Sequence, residues 1–382
     1  MIPSTAARNP ARNPAGNPAR NPGLDTLRAL AIVLVMLHHY VLFVSDESTF
    51  GPIGDVGWIG VDLFCALSGY LIGNQIFAAM RSPGGLPLGR FYARRLLRTL
   101  PNFYAVLALY ALWPWFRNGL ELPPLWRFFT FTQNINLMPG TAFSHAWSLC
   151  IEEQFYLLLP ALALVLAPAR WGTCRMWWAI GFAFMAGLAA RGVIWSELVD
   201  GQRSGTLNYF RYIYYSSLCR LDELVAGVAL ALLKNHHPAQ WRRLTRHGNG
   251  ALALGSLLLA ATCAMFLADR EGLLVTLIGF PLLALACALL IVAALCEDSL
   301  LRVRVPGAHA LALWSYAIYL THKPVSVLAY GYLAEHGVGA GSALAIALLM
   351  ALSVASGWLL YRCVERPFMA LRERHVPLYR PG

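Results

Sequence analysis

Charge is scarce in this sequence. Asp, Glu, Lys and Arg make up only 13% of its 382 residues, about half the roughly 25% usual for a soluble domain. With 58% hydrophobic residues, the composition excludes an ordinary water-bathed globule and points to a protein whose surroundings include lipid. Short catalytic and metal motifs are missing as well. No Cys-x-x-Cys spacing joins Cys65, Cys150, Cys174, Cys219, Cys263, Cys287, Cys296 and Cys363, which therefore read as buried thiols and not as a disulfide framework or zinc site. There is no His-Glu-x-x-His, and neither the His38-His39 nor the His236-His237 pair brings a third ligand, so no metal is expected. No Gly-x-Ser-x-Gly elbow surrounds Ser68 or Ser148. The net charge of +11 does not indicate a nucleic-acid protein, because the basic residues never gather on one face.

What is present is a series of apolar stretches near the 20 residues needed to cross a bilayer. They lie roughly at 24–44, 56–79, 99–116, 146–167, 174–194, 212–233, 250–268, 273–296, 309–330 and 341–361. This patterning predicts an all-α polytopic membrane protein, a bundle of about ten transmembrane helices around a central polar cavity. Alternate connecting segments hold 22 and five of the 30 Lys and Arg residues. The positive-inside rule then places both termini in the cytoplasm of a cell with the chain in its inner membrane. Residues 1–23 carry the repeat ARNP-ARNP-AGNP-ARNP, whose regular prolines forbid a helix, so a disordered cytoplasmic tail is expected there. The membrane domain is expected over 24–368 and a short cytoplasmic tail over 369–382.

Ionisable residues inside spans are costly and mark functional candidates. In the first span, eleven positions separate Arg28 from His39, which puts both on one helical face about 16 Å apart. Lipid-headgroup snorkelling by Arg28 is the bland alternative. The fourth span opens SHAWSLCIEEQFYLLLP, where His145, Ser148, Glu152 and Tyr156 share a face. A polar cavity accounts for that line better than a helix-terminus role for the carboxylates. The ninth span presents Tyr316, Tyr319, His322 and Lys323, of which Lys323 and the tyrosines also suit an interfacial belt. Arg220 and Glu223 are spaced to pair within one helix. Arg94, Arg95 and Arg98 cluster between the second and third spans, where arginine forks suit phosphate oxygens and a topogenic charge cluster is the plain alternative.

Seven segments in register resemble acyltransferase family 3 of bacterial membrane proteins. They are Arg28 and His39 in an Arg-x10-His pattern, GVDLFCALSGYLI (60–72), RFYARRLLRTLP (90–101), HAWSLCIEEQFYL (145–157), CRLDELVAG (219–227), WSYAIYLTHKPV (314–325) and YRCVERPF (361–368). The resemblance implies a ten-helix enzyme that moves an acyl group, acetyl in the usual case, from cytoplasmic acyl-CoA (acetyl-CoA) to a hydroxyl of a carbohydrate, glycolipid or small hydroxylated acceptor. It implies activity at the Arg28 and His39 pair and donor binding by Arg94, Arg95 and Arg98. Cys150 stands where many relatives have Ser, so no hydroxyl role carries over there. The stand-alone form, without a fused SGNH domain, is expected, acting alone or with a polysaccharide-assembly system among membrane lipids.

Chemically, neutral His39 is the expected base, with Glu152 as its partner and His145, Ser148, Tyr316 and His322 orienting the acceptor. A covalent acyl-enzyme on His39, Ser148 or Cys150 stays open. The competing class is a transporter using the same intramembrane groups as a proton-linked pathway, although the two halves show no evident repeat. A membrane scaffold would leave the polar line of the fourth span without a purpose.

Overall fold

Residues 21–166 and 172–377 are described by the structure, a computed structural model. Among them the chain is largely helical and forms no strand. The main elements are α1 (Pro22–Tyr40), α2 (Ile59–Met80), α3 (Leu88–Leu112), α4 (Trp147–Leu166), α5 (Gly172–Ile194), α6 (Asp222–His236), α7 (Gly248–Ala268), α8 (Phe280–Leu295), α9 (Ala308–Glu335), α10 (Ala343–Leu360) and α11 (Arg366–His375). Most of the repeat-bearing N-terminal tail, residues 1–20, lies outside the described residues, as do residues 378–382 of the expected C-terminal tail. Helix α1 begins inside the expected tail because Asn21 accepts hydrogen bonds from the amides of Gly23 and Leu24, Pro22 occupies the first turn, and Asp25 faces the helix dipole. At the other end, residues of the expected tail form α11.

Seven helices, not ten, are long and apolar enough to cross a membrane among the described residues. The three expected spans that fall away do so for separate reasons. Helix α3 carries Arg90, Arg94, Arg95 and Arg98 in its first half. Helix α9 has 28 residues but interrupts its apolar run with Ser315, His322 and Lys323. The expected span 212–233 is broken by a π-type turn (Tyr209–Tyr214) and a 3-10 turn (Leu218–Arg220), so α6 keeps only 15 residues, about 22 Å against a hydrocarbon thickness of about 30 Å.

Helix α1 packs against α2, α8 and α9, and α6 lies between α2 and α8. The tightest crossing joins α2 to α6. A methyl group built at Gly69 would lie 2.0 Å from the carbonyl oxygen of Leu224, and one at Gly227 would lie 2.2 Å from that of Ala66. Glycine at both positions lets the two backbones touch, which is how helices gain packing energy where lipid offers as much apolar contact as protein does.

Two buried ion pairs fasten the same region. Arg191 of α5 reaches Asp222 of α6 at 2.5 Å and the carbonyl of Cys219 at 2.7 Å. Arg220 donates to Asp62 of α2 and lies among the rings of Trp58, Trp147, Tyr214 and Phe280. The expected Arg220 and Glu223 pair does not form, because that spacing presumes one continuous helix and Arg220 sits on the 3-10 turn ahead of α6. All eight thiols are free, but burial was expected too widely: Cys174 near the start of α5 and Cys363 just after α10 are exposed.

Replacing Gly227 with Val should push the α2 and α6 backbones apart and cost about 3 kcal/mol or more, read as a lowered melting temperature of the detergent-solubilised protein. Gly331→Val, on an open face of α9, should leave the midpoint nearly unchanged.

Candidate functional site

Two pockets lie against opposite ends of α1. The first, about 270 Å³, is lined by Arg28 of α1, Ser68 and Gln75 of α2, Arg95 and Arg98 of α3, Ser148, Glu152 and Glu153 of α4, and Tyr316 and Tyr319 of α9. Its polar groups are held by one another. Glu152 accepts from Ser68 at 2.8 Å and from the hydroxyl of Tyr156. The Arg95 guanidinium lies 3.7 Å above the Tyr156 ring and 4.0 Å from Glu153. Tyr316 donates to the carbonyl of Thr99 at 2.9 Å. The three expected donor-binding arginines part company: Arg95 and Arg98 sit at i and i+3 and face this arginine pocket. Arg94, one helical step round, turns to α11, pairing with Glu373 at 2.8 Å and donating to the carbonyl of Val376.

The second pocket, about 80 Å³, is lined by His38, His39, Ser144, His145, Trp58, Tyr214, Arg270 and Tyr319. His322, one turn beyond Tyr319 on α9, lies edge to edge with His39, the ring centroids 4.9 Å apart and the planes 1° from parallel. His145 stands edge-on to both, at 6.1 and 5.8 Å. The hydrogen bonds fix the neutral tautomers in sequence. Nδ1 of His322 lies 2.8 Å from the carbonyl of Ile318, one turn back on α9, and a carbonyl can only accept, so Nδ1 carries the proton and Nε2 the lone pair. That lone pair faces Nδ1 of His39 at 2.6 Å, so His39 donates through Nδ1 and keeps an unprotonated Nε2. A backbone carbonyl thus sets the basic nitrogen of His39 through an intervening ring. Lys323, buried beside this group, donates to Ser144 at 3.2 Å and rests 3.8 Å over the Phe43 ring. Among the described residues no group of three or more His, Cys, Asp and Glu side chains is disposed to hold a metal ion.

Tyr319 and Val61 line both pockets and form the septum between them. The Tyr319 hydroxyl donates to the carbonyl of His145 at 2.5 Å and accepts from Ser148 at 2.8 Å, pinning the ring across the gap. This division corrects one expected pairing: Glu152 is not the partner of His39. It faces the arginine pocket with Ser68 and Tyr156, while His39 pairs with His322. Arg28 and His39, read as one face of α1, also open onto different pockets. Ser148 and Tyr316 face the arginine pocket, and His145 the histidine pocket. Cys150 lines neither; its thiol turns back to the carbonyl of Ala146 at 3.6 Å. A larger apolar groove of about 400 Å³, between α4 and α5, lies on the other face of α4.

Sequence reading gave Ser68 and Arg270 no role in the site, and it named Tyr319 and Lys323 within the ninth-span cluster without assigning either a part in the chemistry. Ser68, Tyr319 and Lys323 stand within segments whose neighbours drew attention, and Tyr319 is one turn from both Tyr316 and His322. Arg270 carried no signal, because it sits alone in the connection after α7.

The family profile described as an acyltransferase domain, that of acyltransferase family 3, matches residues 21–362. A Bacillus subtilis protein provisionally named a peptidoglycan O-acetyltransferase is 28% identical over 80% of this chain and 48% of its own length. A Staphylococcus aureus (strain COL) protein provisionally named an O-acetyltransferase is 25% identical over 91% of this chain and 57% of its own. Peptidoglycan O-acetyltransferase OatA of Listeria monocytogenes is 27% identical over 55% of this chain and 33% of its own. The chain thus spans about half the length of the first curated relatives it matches. No solved structure matches it.

The tautomer relay is open to nitrogen NMR of histidine-labelled protein. His39 should show a protonated Nδ1 and an unprotonated Nε2, and His322→Phe should abolish that preference; a His39 protonated on Nε2 in the unaltered protein contradicts the relay.

Proposed function

The chain belongs to acyltransferase family 3, and on that footing we propose that it is a membrane O-acyltransferase carrying an acetyl group from acetyl-CoA to a hydroxyl of a carbohydrate or glycolipid acceptor. The observation that carries this reading is the pair of abutting pockets, one bordered by arginines and the other by a histidine whose basic nitrogen is preset. Arg28, Arg95 and Arg98 bind the phosphates of the donor at the pocket mouth, and the narrow pantetheine arm brings the thioester up to Tyr319. The names of the relatives support a cell-wall glycan as acceptor.

Chemistry proceeds at the septum once the Tyr319 ring swings aside. Nε2 of His39 removes the acceptor hydroxyl proton as the oxygen attacks the thioester carbonyl. The His39 imidazolium is stabilised by sharing its Nδ1 proton with His322. Lys323 supplies positive charge for the tetrahedral oxyanion. Collapse breaks the carbon–sulfur bond, and the coenzyme A thiolate recovers the proton from His39, so the enzyme returns unchanged with the ester and free coenzyme A as products. Glu152 and Glu153 position Arg95, and His145 and Ser148 hold Tyr319.

The same reading places α3, α6 and α9 within the membrane thickness beside the seven apolar helices, giving ten segments over a domain from about 24 to 368. The 22-to-five division of basic residues supports cytoplasmic termini in an inner membrane, with the arginine pocket facing the cytoplasmic donor.

Binding and hydrolysis of radiolabelled acetyl-CoA by protein in lipid provide the test. The unaltered protein should bind it; Arg95→Ala with Arg98→Ala should lose binding, Arg94→Ala should retain it, and His39→Ala should bind while turning over at least about 100-fold more slowly. No affinity for acetyl-CoA in the unaltered protein rejects the donor assignment and leaves a transporter as the better reading.

A further inference from the structure

The two most deeply buried arginines of the bundle each meet a carboxylate. Arg191 is matched by Asp222 and Arg220 by Asp62. Arg270, half-buried in the connection between α7 and α8, has neither an ion pair nor a hydrogen bond among the described residues. Its guanidinium instead lies 5.3, 5.2 and 5.5 Å from the ring centroids of Trp58, Phe210 and Tyr214, and all four side chains line the histidine pocket. Among the described residues no Asp or Glu lines that pocket; Lys323, buried beside it, is held by a hydroxyl and a ring, whereas Arg220, which shares the Trp58 and Tyr214 rings with Arg270, is matched by Asp62.

An arginine fork aimed at an aromatic-walled cleft without a carboxylate is built to receive an anion from outside the chain. Aromatic faces next to it supply flat apolar surface against which a sugar ring can lie. The volume of about 80 Å³ takes only the reacting edge of a sugar, which leaves the rest of the ring against the rim, where Arg270 and Phe210 stand. We propose that the histidine pocket is a subsite for an anionic saccharide, with Arg270 holding a carboxylate or phosphate of the acceptor while its hydroxyl reaches His39. This rests on the acyltransferase reading and adds to it the charge of the acceptor.

The test uses the full chain in phosphatidylcholine nanodiscs, with tryptophan fluorescence reporting affinity for N-acetylglucosamine, N-acetylmuramic acid and N-acetylglucosamine 1-phosphate. The unaltered protein should bind one of the two anionic sugars about ten-fold more tightly than the neutral one, and which one identifies the anion. R270Q should erase that preference while acetyl-CoA binding holds, and R270K should restore part of it. Equal affinities in the unaltered protein, or a preference that survives in R270Q, overturn the proposal. So does a loss in R270Q that weakens neutral and anionic sugars alike, which would make Arg270 a prop for Trp58. Displacement of the anionic sugar by added phosphatidylglycerol would assign the cation to a lipid headgroup, again against the proposal. Failure of the acyltransferase reading shows separately, as absence of acetyl-CoA binding in the unaltered protein.

Discussion

A charge or hydrogen-bonding group surrounded by apolar helices must find its partner inside the bundle, since lipid offers none. Much of the architecture follows from meeting that demand. Arg220 meets Asp62 and four aromatic rings, Arg191 meets Asp222 and a backbone carbonyl, and Glu152 meets Ser68 and Tyr156. Each of these groups ties its own helix or turn to another helix, so the polar groups also fix which helices are neighbours. The close crossing at Gly69 and Gly227 brings Asp62 and Arg220 within reach of each other. Loss of one partner would strand the other in a medium of low polarity, at a cost of several kcal/mol.

The histidine group meets the same demand differently. Three of its rings come from α1, from the turn before α4 and from α9, and among the described residues no acid lines their pocket to neutralise them. Ring nitrogens satisfy one another and the backbone: His322 on Ile318, His39 on His322, His145 on Leu320 at 3.3 Å. A chain of neutral rings costs less to bury than a carboxylate and imidazolium pair, and it leaves the lone pair on Nε2 of His39 unused, along with that on Nδ1 of His145. That is the state in which a general base is ready to act.

Sequence reading recovered the membrane class, the family and most of the polar residues, because apolar length and the positions of charges in apolar runs are local signals. It failed where geometry depends on breaks in helices. The turns at Leu218–Arg220 sent Arg220 across to Asp62, when uninterrupted periodicity would have paired it with Glu223. Nor could periodicity foretell that Glu152 and His39 would be walled off from each other. That depends on the aromatic ring of Tyr319, whose hydroxyl is anchored by the carbonyl of a residue 174 positions away. Arg94 was grouped with Arg95 and Arg98 by adjacency, and only the docking of α11 shows that it faces elsewhere.

The septum of Tyr319 and Val61 has a meaning beyond the reaction. A protein with a polar recess at each end would short-circuit the membrane that holds it if the recesses joined into one file of water, since ions and protons would run down their gradients through every copy. The Tyr319 ring, its hydroxyl held by Ser148 and by the carbonyl of His145, stands with Val61 between the two recesses. A side chain at position 319 too narrow to fill that gap would let the two recesses join.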